Sequence, residues 1–447
     1  MAKSARPNIL FFFSDQQRWD TCGCYGQPLG VTPNLDAMAR DGVRFANAFT
    51  CQPVCGPARA CIQTGRWATE LSCPTNGCRL PVEHPTVARL LRGAGYECGY
   101  IGKWHLASYD GAGTSYYDRP VPAALRGGYD DYWLASDVLE FTSHGHDGHM
   151  WDGAGNQRDF PKGRYRVDAQ TDWVLEYLDS RRQDRPFFLM TSYIEPHHQN
   201  DHARYEGPHG SKDRWADYLV PGDLVGTGGD WRKNYPDYLG QCNSLDLNLG
   251  RIRARLEKLG IADNTLIIYT SDHGSHFCTR NSEYKRACHD GCIHIPMVIA
   301  GPGFTGGKVI EPLASLIDIP ETILAAAGVA VPAFMRGRPL QQVVKKTPRD
   351  WPREVFIQIS EDHTGRALRT HRWTYEIQAK RADWYRIHGF DYVEAYLYDN
   401  QADPHQKTNL VAEPGFASIR AELAARLAQL MIDAGEPRPA ISAAAAT

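Results

Sequence analysis

Four short apolar runs, each closing on residues that can do chemistry, constrain this chain more than any other feature. Residues 8–13 lead into Ser14-Asp15-Gln16, and residues 99–101 lead into Gly102-Lys103-Trp104-His105. Residues 186–192 lead toward Glu195-Pro196-His197-His198, and residues 266–270 lead into Ser271-Asp272-His273-Gly274. Continuous apolar runs of this length suit strands buried on both faces of a parallel sheet. Helical patterns over 35–40, 86–92, 167–180, 235–259 and 316–327 alternate with them, which predicts a doubly wound α/β domain. In an open α/β sheet, sites form beyond the carboxyl ends of the strands. Asp15, Gln16, Lys103, His105, His197, Asp272 and His273 are therefore expected to converge. Two carboxylates beside an amide oxygen and an imidazole make a divalent cation site, although each Asp taken alone is equally a turn or cap residue.

Further strands are expected over 43–49 and 295–300. Composition shifts to Lys, Pro, Arg and Trp around 340–352, which places a boundary there and divides the chain into 1–345 and 346–447. Strands at 355–360, 366–370, 374–378 and 395–398 with a helix at 417–434 predict a small antiparallel sheet carrying one helix, then a frayed alanine-rich tail. The fold expected is thus a large doubly wound, mixed but mainly parallel sheet flanked by helices, with a smaller C-terminal antiparallel subdomain. Residues 107–165 and 199–232 show no period and read as long loops. Within them, His144, His146 and His149 have metal-binding chemistry, but a solvated loop is the expected reading.

The net charge of −3 over 447 residues, with both signs interspersed, argues against a nucleic-acid binder. No run of about 18 apolar residues exists to span a membrane. The apolar run after the basic N-terminal residues is too short for a leader and passes straight into Asp15, so a cytoplasmic protein is expected unless a leader has been removed. Twelve cysteines are many for such a compartment. Their spacing gives no paired C-x-x-C motifs, so buried free thiols are expected rather than zinc or disulfides.

The stretch from Cys51 to Arg66 contains Cys55-Gly56-Pro57-Ala58-Arg59 and then Thr64-Gly65-Arg66. Pro57 suits a first helical turn, and Thr64-Gly65 a helix stop. Cys55 then lies at a helix N-terminus, where free N–H groups favour an anion. Taken alone, such a cysteine reads as structural.

This stretch resembles the signature of the type I sulfatases, in the alkaline phosphatase superfamily: Cys-x-Pro-(Ser/Ala)-Arg followed by Thr-Gly-Arg. In that family the cysteine becomes formylglycine, so the resemblance implies a maturation enzyme as a partner of Cys55. The resemblance continues along the chain. PNILFFFSDQ is similar to the family's opening, with Asp15 as a metal ligand and Gln16 where most members carry a second Asp. TSDHG is similar to the second metal motif and makes Asp272 and His273 ligands, beside residue 55. GKWHL places Lys103 and His105 at the modified residue, and SYIEPHH assigns His197 to the substrate, with His198 turned elsewhere. Lys285 fits the family's second lysine, with His289 in place of the usual Tyr. Asn76 matches a substrate-binding Asn, and LYDNQADPHQKTNL is similar to the family's C-terminal segment.

The resemblance implies hydrolysis of a sulfate monoester, with a sulfated small molecule or saccharide as substrate and one divalent cation, Ca²⁺ first, with Mn²⁺ or Mg²⁺ open. One hydroxyl of hydrated formylglycine attacks sulfur. Arg59 and Lys103 hold that group, Lys285 and His197 grip sulfate and protonate the leaving alcohol, and His105 removes the proton that lets the aldehyde re-form. An alternative within the superfamily is a phosphodiesterase or phosphonate monoester hydrolase, suggested by Gln16 and His273. A non-catalytic binding protein would require a lost nucleophile or ligand, and each position is filled. Specificity is expected from the two long loops and His363, with His276, Arg280 and Asn281 either facing substrate or structural. The ester itself and assembly into a homo-oligomer are left open.

Overall fold

The computed structural model describes residues 6–109, 114–380 and 387–444. Its core is an 11-stranded sheet. Asn8–Ser14 lies at the centre, parallel to Thr265–Ser271 on one side and Phe187–Ser192 on the other. Glu97–Lys103 and Tyr132–Ser136 continue the parallel set. Met297–Ala300 runs antiparallel beside Thr265–Ser271, so the sheet is mixed and mainly parallel.

The central strand shows why a run without polar breaks is needed. Ile9, Phe11 and Phe13 pack into one core with the helices Cys55–Thr64, Val87–Gly93 and Ile319–Ala326. Leu10 and Phe12 pack into the opposite core with Pro33–Asp41, Arg166–Ser180 and Trp231–Lys258. Successive side chains enter opposite apolar layers, so neither face tolerates a polar residue.

Two readings are corrected. Residues 107–165 are not all loop: Tyr132–Ser136 extends the sheet, and Asp147–Asp152 adds an antiparallel strand beside it. The expected strand over 43–49 is two pieces, Val43–Phe45 and Ala48–Phe49, in different sheets. The twelve cysteines are free thiols.

The C-terminal sheet comprises Glu354–Ile359, Gly365–Thr370, Trp373–Ala379 and Asp391–Asp399 in antiparallel order, with Ala440–Ser442 added in parallel. The helix Ala417–Asp433 covers one face through Leu423, Leu427 and Met431. Val355, Ile357 and Ile359 turn the other face onto Phe49, Cys288 and Ile293 of the main body. The last three residues of the alanine-rich tail lie outside the described residues. Among the described residues, no helix is long and apolar enough to cross a membrane.

Candidate active site

Cys55 opens the helix Cys55–Thr64, Pro57 occupies its first turn, and Gly65 closes it in the left-handed conformation at φ 66°. Gly56 packs closely against Asn76. Its N–H donates to Asn76 Oδ1 at 2.8 Å, and a Cβ there would sit 3.0 Å from that same oxygen. The helix is buried throughout and fixes the thiol where three strand ends meet. Cys55 Sγ lies 3.2 Å from Asp15 Oδ1, 3.2 Å from His273 Nε2 and 2.7 Å from Lys285 Nζ.

Asp15, Cys55, Asp272 and His273 bring one ligand atom each to within 4.8 Å of one another, a spacing that admits one metal ion. Gln16 joins them through its backbone, whose N–H donates to Asp272 Oδ1 at 2.9 Å. Its amide nitrogen donates to the Tyr205 hydroxyl at 2.8 Å and to Ser275 at 3.3 Å, leaving Oε1 buried without a partner. Asp272 Oδ2 is likewise buried without a hydrogen bond, with the Arg59 guanidinium 3.8 Å away. Two orphaned oxygens beside a carboxylate fit a hard cation, because leaving them unsatisfied is costly. His273 Nδ1 faces the Gly274 carbonyl at 2.9 Å, which keeps the proton on Nδ1 and leaves the Nε2 lone pair free to ligate. Burial, reinforced by Asp15, pushes the Asp272 carboxyl up to about 7. Burial acts the same way on Asp15, but Lys103, His197, Arg59 and Lys285 outweigh it and hold Asp15 well below the usual carboxylate range.

Arg59 and Lys103 form the opposite wall. Arg59 reaches Asp15 Oδ2 at 3.1 Å and donates to the Lys103 carbonyl and Ser192 Oγ, each at 2.7 Å. Lys103 Nζ lies 3.0 Å from Asp15 Oδ2 and 2.9 Å from Glu140 Oε1. The residue before Lys103 has to be glycine. Gly102 has φ +118°, and a Cβ there would meet the Ser192 carbonyl oxygen at 1.9 Å. Arg59, Lys103 and Lys285 thus face Asp15, Asp272 and Glu140. Adding a divalent cation leaves net positive charge for an anionic substrate.

His197 Nε2 lies 3.1 Å from Lys285 Nζ. His105 is buried at φ 59°, its N–H bonded to the Asp137 carbonyl at 2.7 Å and its Nδ1 without a partner. Asn76 Nδ2 donates to Glu361 Oε2 at 3.3 Å, and Glu361 reaches Arg286 at 2.5 Å. The structure therefore brings Asp15, Gln16, Cys55, Arg59, Asn76, Lys103, His197, Asp272, His273 and Lys285 into one connected cluster, with His105 buried on the loop that follows Lys103. Other candidates have structural partners. His276 and Asn281 each bond the Lys285 carbonyl at 3.1 Å, Arg280 bonds the His405 carbonyl, and His198 pairs with Tyr284. His289 bonds Tyr398, and His363 bonds Asp362 and Glu376.

Sequence reasoning missed Glu140, Ser192 and Glu361. Ser192 ends a predicted strand and was within reach of the strand-end rule. Glu140 lies in a stretch without periodicity, and Glu361 comes from the C-terminal region.

The sulfatase family model matches residues 7–329, and the model for the C-terminal part of N-sulphoglucosamine sulphohydrolase matches residues 282–433. The chain is 26% identical to the N-acetylglucosamine-6-O-sulfatase of Bacteroides thetaiotaomicron, covering 94% of this chain and 85% of that protein. It is 28% identical to the ulvan-active sulfatase of Formosa agariphila, over 96% and 82% respectively. The crystal structure of the putative sulfatase yidJ from Bacteroides fragilis superposes with a TM-score of 0.83 at 24% identity, covering 98% of both chains. With the family model spanning most of the chain and laid over this site, the protein belongs to the sulfatase family and is a hydrolase of sulfate esters.

Proposed function

We propose that this sulfatase acts on sulfated saccharides through a formylglycine made from Cys55, with one calcium ion held by Asp15, Gln16, Asp272, His273 and residue 55. The observation that carries the reading is the place of the thiol. Sγ stands where the oxygen of a matured residue 55 would stand, within 3.2 Å of Asp15, His273 and Lys285. An unmodified thiol is poorly suited to that place. Burial, then Asp15, pushes its pKa up to about 12, so it stays a weakly nucleophilic thiol at neutral pH. Matured, residue 55 supplies a hydrated aldehyde, with one hydroxyl to attack sulfur and a second that lets the aldehyde re-form. The cation, when bound, polarises the sulfate oxygens. Calcium suits a set made mostly of oxygens, with one imidazole.

The chain's own residues supply the rest. Arg59 and Lys103 orient Asp15 and offset negative charge beside residue 55. Lys285 binds a sulfate oxygen and, with His197, delivers a proton to the departing alcohol. His105, whose imidazole is kept neutral by burial and by Lys103 and Arg59, is a base for the second hydroxyl. Asn76 holds Gly56 and is positioned in turn by Glu361. The saccharide class rests on the names of two relatives, one an N-acetylglucosamine-6-O-sulfatase and one an ulvan-active sulfatase.

The test co-expresses the chain with a formylglycine-generating enzyme and measures rates on sulfated monosaccharides, an aryl sulfate, a phosphodiester and a phosphonate monoester. Mass spectrometry of the Cys55 peptide should show aldehyde, and at least one sulfated sugar should exceed both phosphorus substrates in kcat/KM. An active enzyme with an unmodified thiol, or a phosphonate preferred over every sulfate, would overturn the reading.

A further inference from the structure

A second cluster of metal-ligating side chains lies outside the catalytic cavity. His144 ends the short strand Ser143–His144, and Asp201 and His202 lie in the turn Asn200–His202. Nε2 of His144 is 2.8 Å from Asp201 Oδ2, and Nε2 of His202 is 3.9 Å from the same oxygen. The two imidazoles are parallel, with ring centres 4.1 Å apart. One ligand atom from each of the three residues lies within 4.8 Å of the others.

The other nitrogens decide what this arrangement is. Nδ1 of His144 lies 3.1 Å from Asp147 Oδ1, and Nδ1 of His202 lies 2.6 Å from Glu206 Oε1. A carboxylate on Nδ1 holds a proton there and directs Nε2 outward; on His144, whose Nε2 also donates to Asp201 in the metal-free protein, a bound ion would take the place of that second proton. This is how histidine ligands of zinc are oriented and made more basic. Both rings have such a partner, and both present Nε2 to one shared carboxylate oxygen. The cluster also holds three carboxylates, Asp147, Asp201 and Glu206, with Arg204 at 2.9 Å from Glu206 offsetting one of them. The remaining negative charge favours a cation.

We propose that His144, Asp201 and His202 form a second metal site, taking a zinc-class divalent ion through two Nε2 atoms and one carboxylate oxygen. Tetrahedral ligands at about 2.0–2.2 Å from an ion lie about 3.3–3.6 Å from one another, so His202 moves inward while His144 and Asp201, now 2.8 Å apart, separate slightly, which two surface loops allow. A fourth position opens toward a cavity of about 570 Å³ lined by His146, Glu206 and His209. The ion is a staple rather than a reactant. The first segment follows Glu140, which holds Lys103, and the second follows His197. Gln199 already links them, donating to the Glu140 carbonyl at 3.0 Å and to Asp201 at 2.7 Å. Bound metal would lock together the two loops that carry those residues.

The test uses full-length protein without a histidine tag, saturated with calcium and titrated with zinc by calorimetry. Cobalt, followed by visible absorption, reports geometry. One zinc should bind, with a tetrahedral cobalt spectrum and a rise in melting temperature. Asp272→Asn, which breaks the catalytic cation site, should keep this zinc. His144→Ala and His202→Ala should weaken binding at least about 100-fold, and Glu206→Gln, acting only through His202, about 10–100-fold. His144→Gln and His202→Gln replace either alanine variant that melts early. Absence of zinc binding at large molar excess, or wild-type affinity in the histidine variants, would overturn the proposal. Because binding is read without turnover, it stands or falls separately from the sulfate chemistry.

Discussion

Nε2 of His197 accepts a hydrogen bond from Nζ of Lys285 at 3.1 Å, while Nδ1 of His197 donates to the carbonyl of His198 at 2.6 Å. A carbonyl only accepts, so the imidazole proton sits on Nδ1. Burial, and then the Lys285 charge, hold the His197 pKa well below its ordinary value. In the proposed mechanism the proton for a leaving group would therefore come from Lys285, with His197 next to it as the group that receives or relays it.

This arrangement predicts a dependence on leaving group. Nitrophenolate departs with little help, whereas a sugar alkoxide needs a proton. His197→Ala and Lys285→Ala should each lower kcat on alkyl or sugar sulfates about 10²–10⁴-fold, with a much smaller loss on nitrophenyl sulfate. Equal losses on both substrates would mean the pair only binds sulfate. A lowered melting temperature with no substrate dependence would mean a structural role.

Asp272 predicts a proton-linked metal affinity. With its carboxyl pushed up to about 7 by burial and Asp15, the metal-free site retains part of a proton near neutrality, and an incoming cation must expel it. Calorimetry in buffers of different ionisation enthalpy should detect proton release, and affinity should fall as pH drops below 7. Asp272→Asn should remove this linkage and more than about 100-fold of the activity, with little change in melting of the metal-free protein. Affinity independent of pH between about 6 and 8 would contradict it.

Glu361 carries Asn76 and Arg286 from the C-terminal sheet side of the site. Glu361→Ala removes charged hydrogen bonds that each contribute about 1.5–3 kcal/mol, so a loss of about tenfold or more in kcat/KM is expected. Glu361→Gln should recover part of it. Unchanged kinetics in the alanine variant would remove Asn76 from the site's working parts.

His363 predicts a pH dependence of stability. Burial disfavours its charge, but Glu376 at 2.6 Å and Asp362 at 2.9 Å outweigh it and raise the pKa from 6.5 to about 9. A raised folded-state pKa stabilises fully below 6.5, and that contribution is lost as pH rises through 9. On the order of 3 kcal/mol should disappear across that window in denaturant unfolding. His363→Gln should flatten the slope, and an unchanged slope would refute the assignment.

The parallel core was legible because each central strand is buried on both faces, so burial appears directly as an unbroken apolar run. The strand ends then pointed to Asp15, Lys103, His197 and Asp272 without further information. Lys285 carries no such local signal, since residues 277–289 form no regular element, and only the family resemblance found it. Glu140 was hidden because Tyr132–Ser136 is short and is held by pairing to Glu97–Lys103 rather than by a pattern of its own. Glu361 was hidden because its partner Asn76 is 285 residues away. Contacts of that range leave no mark on local periodicity.

Cys55 is 1% exposed and sits beneath side chains from several strand ends. No oxidising enzyme can grasp a peptide held that deep, so any conversion of this thiol has to occur while the chain is still extended. The proposed maturation of Cys55 would then have to precede folding. Under that proposal the active fraction of a preparation would be set by how quickly folding overtakes oxidation, and later incubation of the folded protein with the maturation enzyme should not raise it.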